Sequence, residues 1–430
     1  MSKARSLPIL VVLIAFIIRI FVIFHYGPYV SIHSDDMGYY RSAEWLLQYG
    51  KYAFYTPDAP TVHMLPGMTF ILAAVIAVFG KGALGLYVGK VVFTIIGCLG
   101  IFGAYKAVEH MWNRPVALIV ALFLAVYVPG IETDTLFLTE PPFMAAFAWL
   151  VYFVLRAGKE HKTSDIVWAS IMFVAAIYFR PNIILWAVVA LAYLMSMRYP
   201  WKLLVSHMGL VVGIVVICLA PWWIRNEIAF HQFIPLTDDS SNPLLLGTFQ
   251  GLHYPAPNDP TLVEHRILAE HPDLLPQSEH EIPWFKAQQH EAMARVRQWY
   301  HTHPSDFFQS YLWIKPGLLW NLAYYPIRIL GVLPETMKLV QHWLVWPSII
   351  GHAVALVFAN GKRRQMMMVA LTLLYFTGLY SIFFVYGRYN EPIIWLMFLG
   401  IPAGIWTLVT LLLRAGGRRR KGVAVLHDVR

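Results

Sequence analysis

The chain has 430 residues, of which 58% are apolar and 13% charged, against about 25% charged in an ordinary soluble domain. That balance excludes a soluble globular enzyme, a disordered chain and a collagen-like fibre; a disulfide scaffold is excluded because the only cysteines, Cys98 and Cys218, both sit inside apolar runs. The net charge of +9 is divided among short basic clusters between apolar runs and a terminal Arg418-Arg419-Arg420-Lys421, which is a topology pattern and not a nucleic-acid footprint.

What remains is an all-α polytopic membrane protein. A helix needs roughly 20 apolar residues to cross the hydrocarbon layer. Ten runs qualify, at about 7–26, 84–105, 115–131, 140–157, 165–180, 182–197, 203–223, 340–358, 366–385 and 393–413. The first follows Lys3 and Arg5 but lacks a small-residue cleavage site, since His25-Tyr26-Gly27-Pro28 is bulky, so it reads as a retained signal anchor. Two further runs, 64–80 and 307–326, are ambiguous. Counting the first as a full span would turn nearly every basic cluster outward, against the positive-inside rule. Both are therefore read as juxtamembrane segments lying in the outer interface, which leaves both termini cytoplasmic. The expected organisation is an N-terminal transmembrane module over 1–224 with an outer loop at 27–82. An extracytoplasmic loop over 225–339, transmembrane helices over 340–415 and a basic cytoplasmic tail over 416–430 follow. No internal repeat is visible, which disfavours transporter folds built from duplicated halves.

The chemistry-bearing residues gather on the outer side. Ser34-Asp35-Asp36-Met37-Gly38-Tyr39-Tyr40 follows the first span. Adjacent carboxylates at a membrane rim raise each other's pKa and suit a general base, or a cation or hydroxyl ligand. They also suit a plain helix N-cap. Glu140, in Thr139-Glu140-Pro141-Pro142, opens the fourth span on the same side, as a second functional acid or as a partner of the helix dipole. Arg180, Arg225, Arg388 and Lys90 lie at the outer rim against the positive-inside trend. Embedded among aromatics, such cations are costly unless they meet an anion, and arginine offers a fork matched to phosphate oxygens. Snorkelling to headgroups or pairing with the acids is the plainer alternative. The outer histidines His253, His265, His271, His280, His290, His301 and His303 show no metal-ligand spacing. There is no Walker phosphate loop and no Gly-x-Ser-x-Gly elbow.

Taken in order, these elements resemble the GT-C glycosyltransferases, especially the polyprenyl-phosphate-sugar-dependent group that includes protein O-mannosyltransferases and lipid A aminoarabinose transferases. The likeness is carried by Asp35-Asp36-Met37-Gly38-Tyr39, by Ala43 and Gly50-Lys51-Tyr52, and by His63-Met64-Leu65-Pro66-Gly67 running to Phe79-Gly80. It continues in Thr139-Glu140, Arg180-Pro181, Pro221-Trp222-Trp223-Ile224-Arg225-Asn226 and Tyr386-Gly387-Arg388-Tyr389-Asn390-Glu391-Pro392. One proline of the family's His/Lys-Pro-Pro-Leu pattern is replaced here by Met64.

The resemblance implies a GT-C-like bundle of about ten transmembrane helices in the cell (inner or plasma) membrane, with an extracytoplasmic active site in the 27–82 loop. It implies transfer of a hexosyl or pentosyl group from a polyprenyl-phosphate donor to a hydroxyl on a lipid, glycan or protein acceptor, with inversion. Asp35 would be the general base, with Asp36 and Glu140 orienting the acceptor. Arg225 and Arg388, backed by Arg180, His63 and Lys90, would bind the donor phosphate, and Tyr39, Tyr40 and Tyr389 would line the sugar and acceptor pocket. A divalent cation, Mg or Mn, is left open. The rival readings are a flippase of lipid-linked sugar and a non-catalytic envelope assembly partner; donor consumption separates the first from transfer.

Overall fold

The computed structural model describes residues 3–427 apart from 239, 273, 275–280 and 360, with side chains described over 6–415 of that range. Asp239, His280, the side chains of Lys3 and Arg5, and those of the Arg418–Lys421 cluster lie outside the described residues.

The described chain is all-helical. Helices α1 (Lys3–Tyr26), α2 (Asp35–Tyr49), α3 (Gly67–Phe79), α4 (Ala83–Met111), α5 (Arg114–Val126), α6 (Val128–Asp134), α7 (Glu140–Glu160), α8 (Thr163–Phe179), α9 (Trp186–Ser196) and α10 (Trp201–Phe230) form the first part. The outer segment contains α11 (Ser241–Gly247), α12 (Pro260–Glu270), α13 (Glu281–Thr302), α14 (Pro304–Gln309) and α15 (Lys315–Asn321), and the chain closes with α16 (Pro334–Phe358), α17 (Arg363–Ile382) and α18 (Ile394–His427).

Among the described residues seven helices are long and apolar enough to cross a membrane, and eight if a bent pair counts as one span. This makes the chain a multi-pass membrane protein. The expected count of about ten is not confirmed, and the shorter runs have local causes. The 115–131 run is split into α5 and α6, bent by 63°. The break falls at Tyr127, which leaves helical geometry at φ −68 and ψ 108, two residues ahead of Pro129. Runs 165–180 and 182–197 shorten to α8 and α9 because Arg180 precedes Pro181. A residue before proline is pushed out of the α region, and Arg180 sits at φ −147, ψ 101. The 13-residue α3, at about 1.5 Å per residue, reaches only some 20 Å of a ~30 Å hydrocarbon layer. It packs on α2, α4 and α8.

Without a hydrophobic drive between helices in lipid, close approach depends on small residues. At the α16–α18 crossing a Cβ on Gly351 would lie 2.0 Å from the Gly400 carbonyl oxygen, and one on Gly400 would lie 2.1 Å from the Ser348 oxygen. Inside the bundle, Arg19 of α1 pairs with Asp134 at 2.5 Å and also donates to the carbonyls of Ala15, Ala125 and Leu124. A Cβ on Gly97 would fall 2.4 Å from that Asp134 carboxylate, so glycine there makes room for the acid.

Candidate functional site

One cavity of about 470 Å³ draws on segments far apart in the chain. Its wall includes Asp35 and Tyr39 from α2, His63 from the following loop, and Thr139 and Glu140 at the start of α7. Arg180 and Asn182 from the α8–α9 break, Tyr324, Tyr380 from α17, and Tyr386, Arg388 and Tyr389 ahead of α18 complete its polar lining.

Local sequence explains each placement. The α8 helix stops at Phe179 because of Pro181, so the Arg180 side chain leaves the bundle axis at the cavity wall. Glu140 opens α7 with Pro141 and Pro142 behind it, a pair that suits a helix's first turn, and an acid there is favoured by the dipole. Arg388 lies in a 3₁₀ turn over Gly387–Ile393. That turn is pinned by Asn390, which donates to the carbonyls of Leu319 at 2.6 Å and Leu322 at 3.1 Å. A Cβ on Gly387 would lie 2.9 Å from the Leu322 oxygen, so only glycine lets the turn pass so close.

The charges form a connected set. Arg388 donates through Nη2 to Asp35 Oδ2, and its Nε lies 3.5 Å from Glu140 Oε1 without making a hydrogen bond. Arg180 donates to Glu140 and, through Nε, to the Thr139 hydroxyl at 2.9 Å. Glu140 is 2% exposed, whereas the Asp35 side chain is 38% exposed. Two carboxylates thus balance two guanidiniums, with Asp35 facing the opening and Glu140 behind. Phenols surround them. Burial first, and the nearby Asp35 carboxylate second, hold the Tyr39 hydroxyl well above its usual range, and burial pushes Tyr324 up to about 12. Both are therefore neutral hydrogen-bond donors at any ordinary pH. Tyr55 shares a hydrogen bond of 3.1 Å with His63 Nδ1.

Other expected site residues stand elsewhere. Asp36 is 1% exposed, and its carboxylate accepts from the backbone N–H groups of Ile32, Ser34 and Met37, closing the turn that opens α2. Lys90 is buried and donates to the carbonyls of Val30 at 2.8 Å and Thr135 at 2.9 Å. Arg225 donates to the carbonyls of Thr61 at 2.8 Å and Tyr52 at 3.0 Å, among the rings of Tyr52, Trp222 and Phe230. The Tyr40 hydroxyl donates to the Lys81 carbonyl at 2.9 Å. None of these four lines the cavity. Tyr324, Asn182 and Tyr380 do line it and carry no sequence signal, being neutral polar residues in an aromatic-rich chain. Among the described residues no group of three His, Cys, Asp or Glu is placed to hold a metal, and Asp35 and Glu140 both pair with arginines.

Residues 58–224 match the family model described as dolichyl-phosphate-mannose-protein mannosyltransferase. The whole bundle shares its fold with the archaeal oligosaccharyltransferase AglB of Archaeoglobus fulgidus. Against AglB in complex with an inhibitory peptide and a dolichol-phosphate, identity is 14% and the TM-score 0.55, over 97% of this chain and 52% of that one. Against the apo form from the same organism the identity is 13% and the TM-score 0.56, with the same coverage. The chain thus spans about half the length of these oligosaccharyltransferases. ArnT from Cupriavidus metallidurans bound to undecaprenyl phosphate aligns at 14% identity over 93% of this chain and 77% of that one; its TM-score of 0.44 is below the level at which a shared fold follows. No curated protein matches the sequence. The chain is thus similar to that mannosyltransferase family over residues 58–224 and to the oligosaccharyltransferase in fold.

Proposed function

We propose that the protein is an integral membrane glycosyltransferase that moves a sugar from a polyprenyl-phosphate donor to an acceptor hydroxyl on the extracytoplasmic side. The observation that carries this reading is the convergence of Asp35, Glu140, Arg180 and Arg388, from four separate segments, on one cavity of about 470 Å³. The family match over residues 58–224 supports it, and so does the fold held in common with a protein solved with dolichol-phosphate.

In this reading Arg388 and Arg180, with His63 opposite, receive the donor phosphate. Preorganised donors aimed at developing charge are often the largest single catalytic contribution. The Arg388 side chain lines the cavity, where its guanidinium can meet a phosphate oxygen. The acceptor hydroxyl lies against Asp35. Arg388 occupies Oδ2, which leaves Oδ1 to take the acceptor's proton. The acceptor oxygen forms its bond to the anomeric carbon as the bond from that carbon to the phosphate oxygen breaks, with inversion. The polyprenyl phosphate leaves with the electron pair. Glu140 keeps both guanidiniums in place, and Tyr39, Tyr324 and Tyr389 meet sugar hydroxyls. The 225–339 segment would cover the site from outside, and both termini would be cytoplasmic. The transferred group, hexosyl or pentosyl, is set by the sugar pocket.

The test is to incubate the purified full chain in vesicles with radiolabelled polyprenyl-phosphate sugars. Consumption of donor with release of polyprenyl phosphate supports the enzyme. Movement of intact donor between leaflets without consumption overturns it in favour of a flippase.

A further inference from the structure

The loop that brings His63 to the cavity is held from outside the membrane bundle. Glu281, the first residue of α13, is 3% exposed. Its carboxylate accepts the Thr61 hydroxyl proton at Oε1, 2.7 Å away, and the Val62 backbone N–H at Oε2, 2.9 Å away. Thr61 in turn accepts the His63 backbone N–H at 3.0 Å on the same hydroxyl oxygen. An unbroken chain of hydrogen bonds therefore runs from the Glu281 carboxylate through the Thr61 hydroxyl to the His63 main chain.

The other side of the same two peptides is also held. Arg225 donates to the Thr61 carbonyl at 2.8 Å and the Tyr52 carbonyl at 3.0 Å, and the Asp238 backbone N–H reaches the Val62 carbonyl at 3.3 Å. Phe285, one turn along α13, lies with its ring 6.4 Å from the His63 ring. Thr61 and Val62 are 1% and 0% exposed, so water does not compete for these bonds. Hydrogen bonds to an ionised carboxylate are shorter and stronger than neutral ones. Two of them on adjacent residues fix the direction of the following residue more tightly than packing alone.

We propose that Glu281 is a positioning residue for His63, acting through Thr61, so that the outer helix α13 sets where the imidazole stands in the donor-phosphate end of the cavity; this rests on the glycosyltransferase reading above. Glu281 does not touch the reacting atoms. Arg225 serves the same clamp from the opposite side, which gives its burial among aromatics a purpose other than snorkelling.

The test uses the full chain in vesicles with a polyprenyl-phosphate sugar donor. Thr61→Val keeps the shape and removes the relay, and Glu281→Ala removes its anchor. Each should raise donor KM by about the factor that His63→Ala does, on the order of 10-fold for a lost charge-assisted contact, with kcat little changed; Glu281→Ala, which strands two buried donors, should also lower the thermal midpoint. Thr61→Ser should restore wild-type KM. The double variant Glu281→Ala/His63→Ala should be no worse than either single one, since both remove the same interaction. Additive losses, or a lower thermal midpoint with unchanged KM, overturn the proposal. A second arm needs no turnover. Amide hydrogen exchange at Val62 and His63 should quicken in Glu281→Ala, and unchanged exchange overturns the clamp. Should the wild type consume no donor and bind no polyprenyl phosphate, the glycosyltransferase reading falls while this second arm still decides the clamp.

Discussion

Two arginine–carboxylate assemblies in this protein use the same chemistry for different ends. Arg19 and Asp134 meet inside the bundle, both nearly inaccessible, with three carbonyls taking further N–H groups of Arg19. The void beside them is about 20 Å³, roughly the room of one water. Arg388, Asp35, Arg180 and Glu140 are linked in much the same way but face a cavity of about 470 Å³. The first assembly ties α1 to α5 and α6. The second leaves the Asp35 carboxylate partly exposed at the cavity. Charge within apolar sequence is thus no sufficient sign of function; room beside the charge makes the difference.

The sharpest way to break this contrast is Asp35→Asn. General-base help is typically worth about 10²–10⁴-fold, so kcat for sugar transfer should fall by at least that range while yield and thermal midpoint hold. Transfer near the wild-type rate would place Asp35 with the structural pairs. Next comes Arg19→Met, which leaves Asp134 buried and unpaired. Breaking a buried pair costs about 3–5 kcal/mol, read as a large drop in thermal midpoint in detergent. Adding Asp134→Asn should recover part of it, and donor KM in the surviving protein should stay at the wild-type value.

A smaller effect is expected from Arg388→Ala. One hydrogen bond to a charged group is worth about 1.5–3 kcal/mol, so donor KM should rise by roughly 10–100-fold. Equal KM values in Arg388→Ala and wild type would move the phosphate elsewhere.

A test of stability alone concerns a lysine without a carboxylate. Lys315 is fully buried; its Nζ meets the Phe383 carbonyl at 3.3 Å and stands 3.8 Å over the Tyr311 ring. Burial lowers its pKa to about 7, against about 10.4 in an unfolded chain. Between those values the unfolded state binds the extra proton, so stability rises with pH through that window and is flat below it. The thermal midpoint should climb from pH 7.5 to 9.5 in wild type and lose that slope in Lys315→Met. An unchanged slope in the variant would assign it to another group.

Much of this was legible in sequence because charge is conspicuous where apolar residues dominate. Asp35, Glu140, Arg180 and Arg388 stand out in their segments, and the structure brings all four to one cavity. Arg19, a cation within the 7–26 run, carries the same kind of signal and marks a structural pair instead. Asp36, Lys90 and Arg225 look like their neighbours in sequence, yet their partners are mainly backbone atoms, and no spacing pattern announces a backbone partner. Glu281 is one acid among many in a polar outer segment, and only its burial against Thr61 and Val62 sets it apart.

The sequence by itself determined that this chain is helical, lies in a membrane and keeps most of its charge outside the apolar runs, because composition and run length act locally through the cost of placing polar groups in hydrocarbon. The structure showed where Pro181 and the bend at Tyr127 shorten the apolar runs. It also decided which charges share a cavity, because that depends on contacts between residues as far apart as Asp35 and Arg388, which no local pattern encodes.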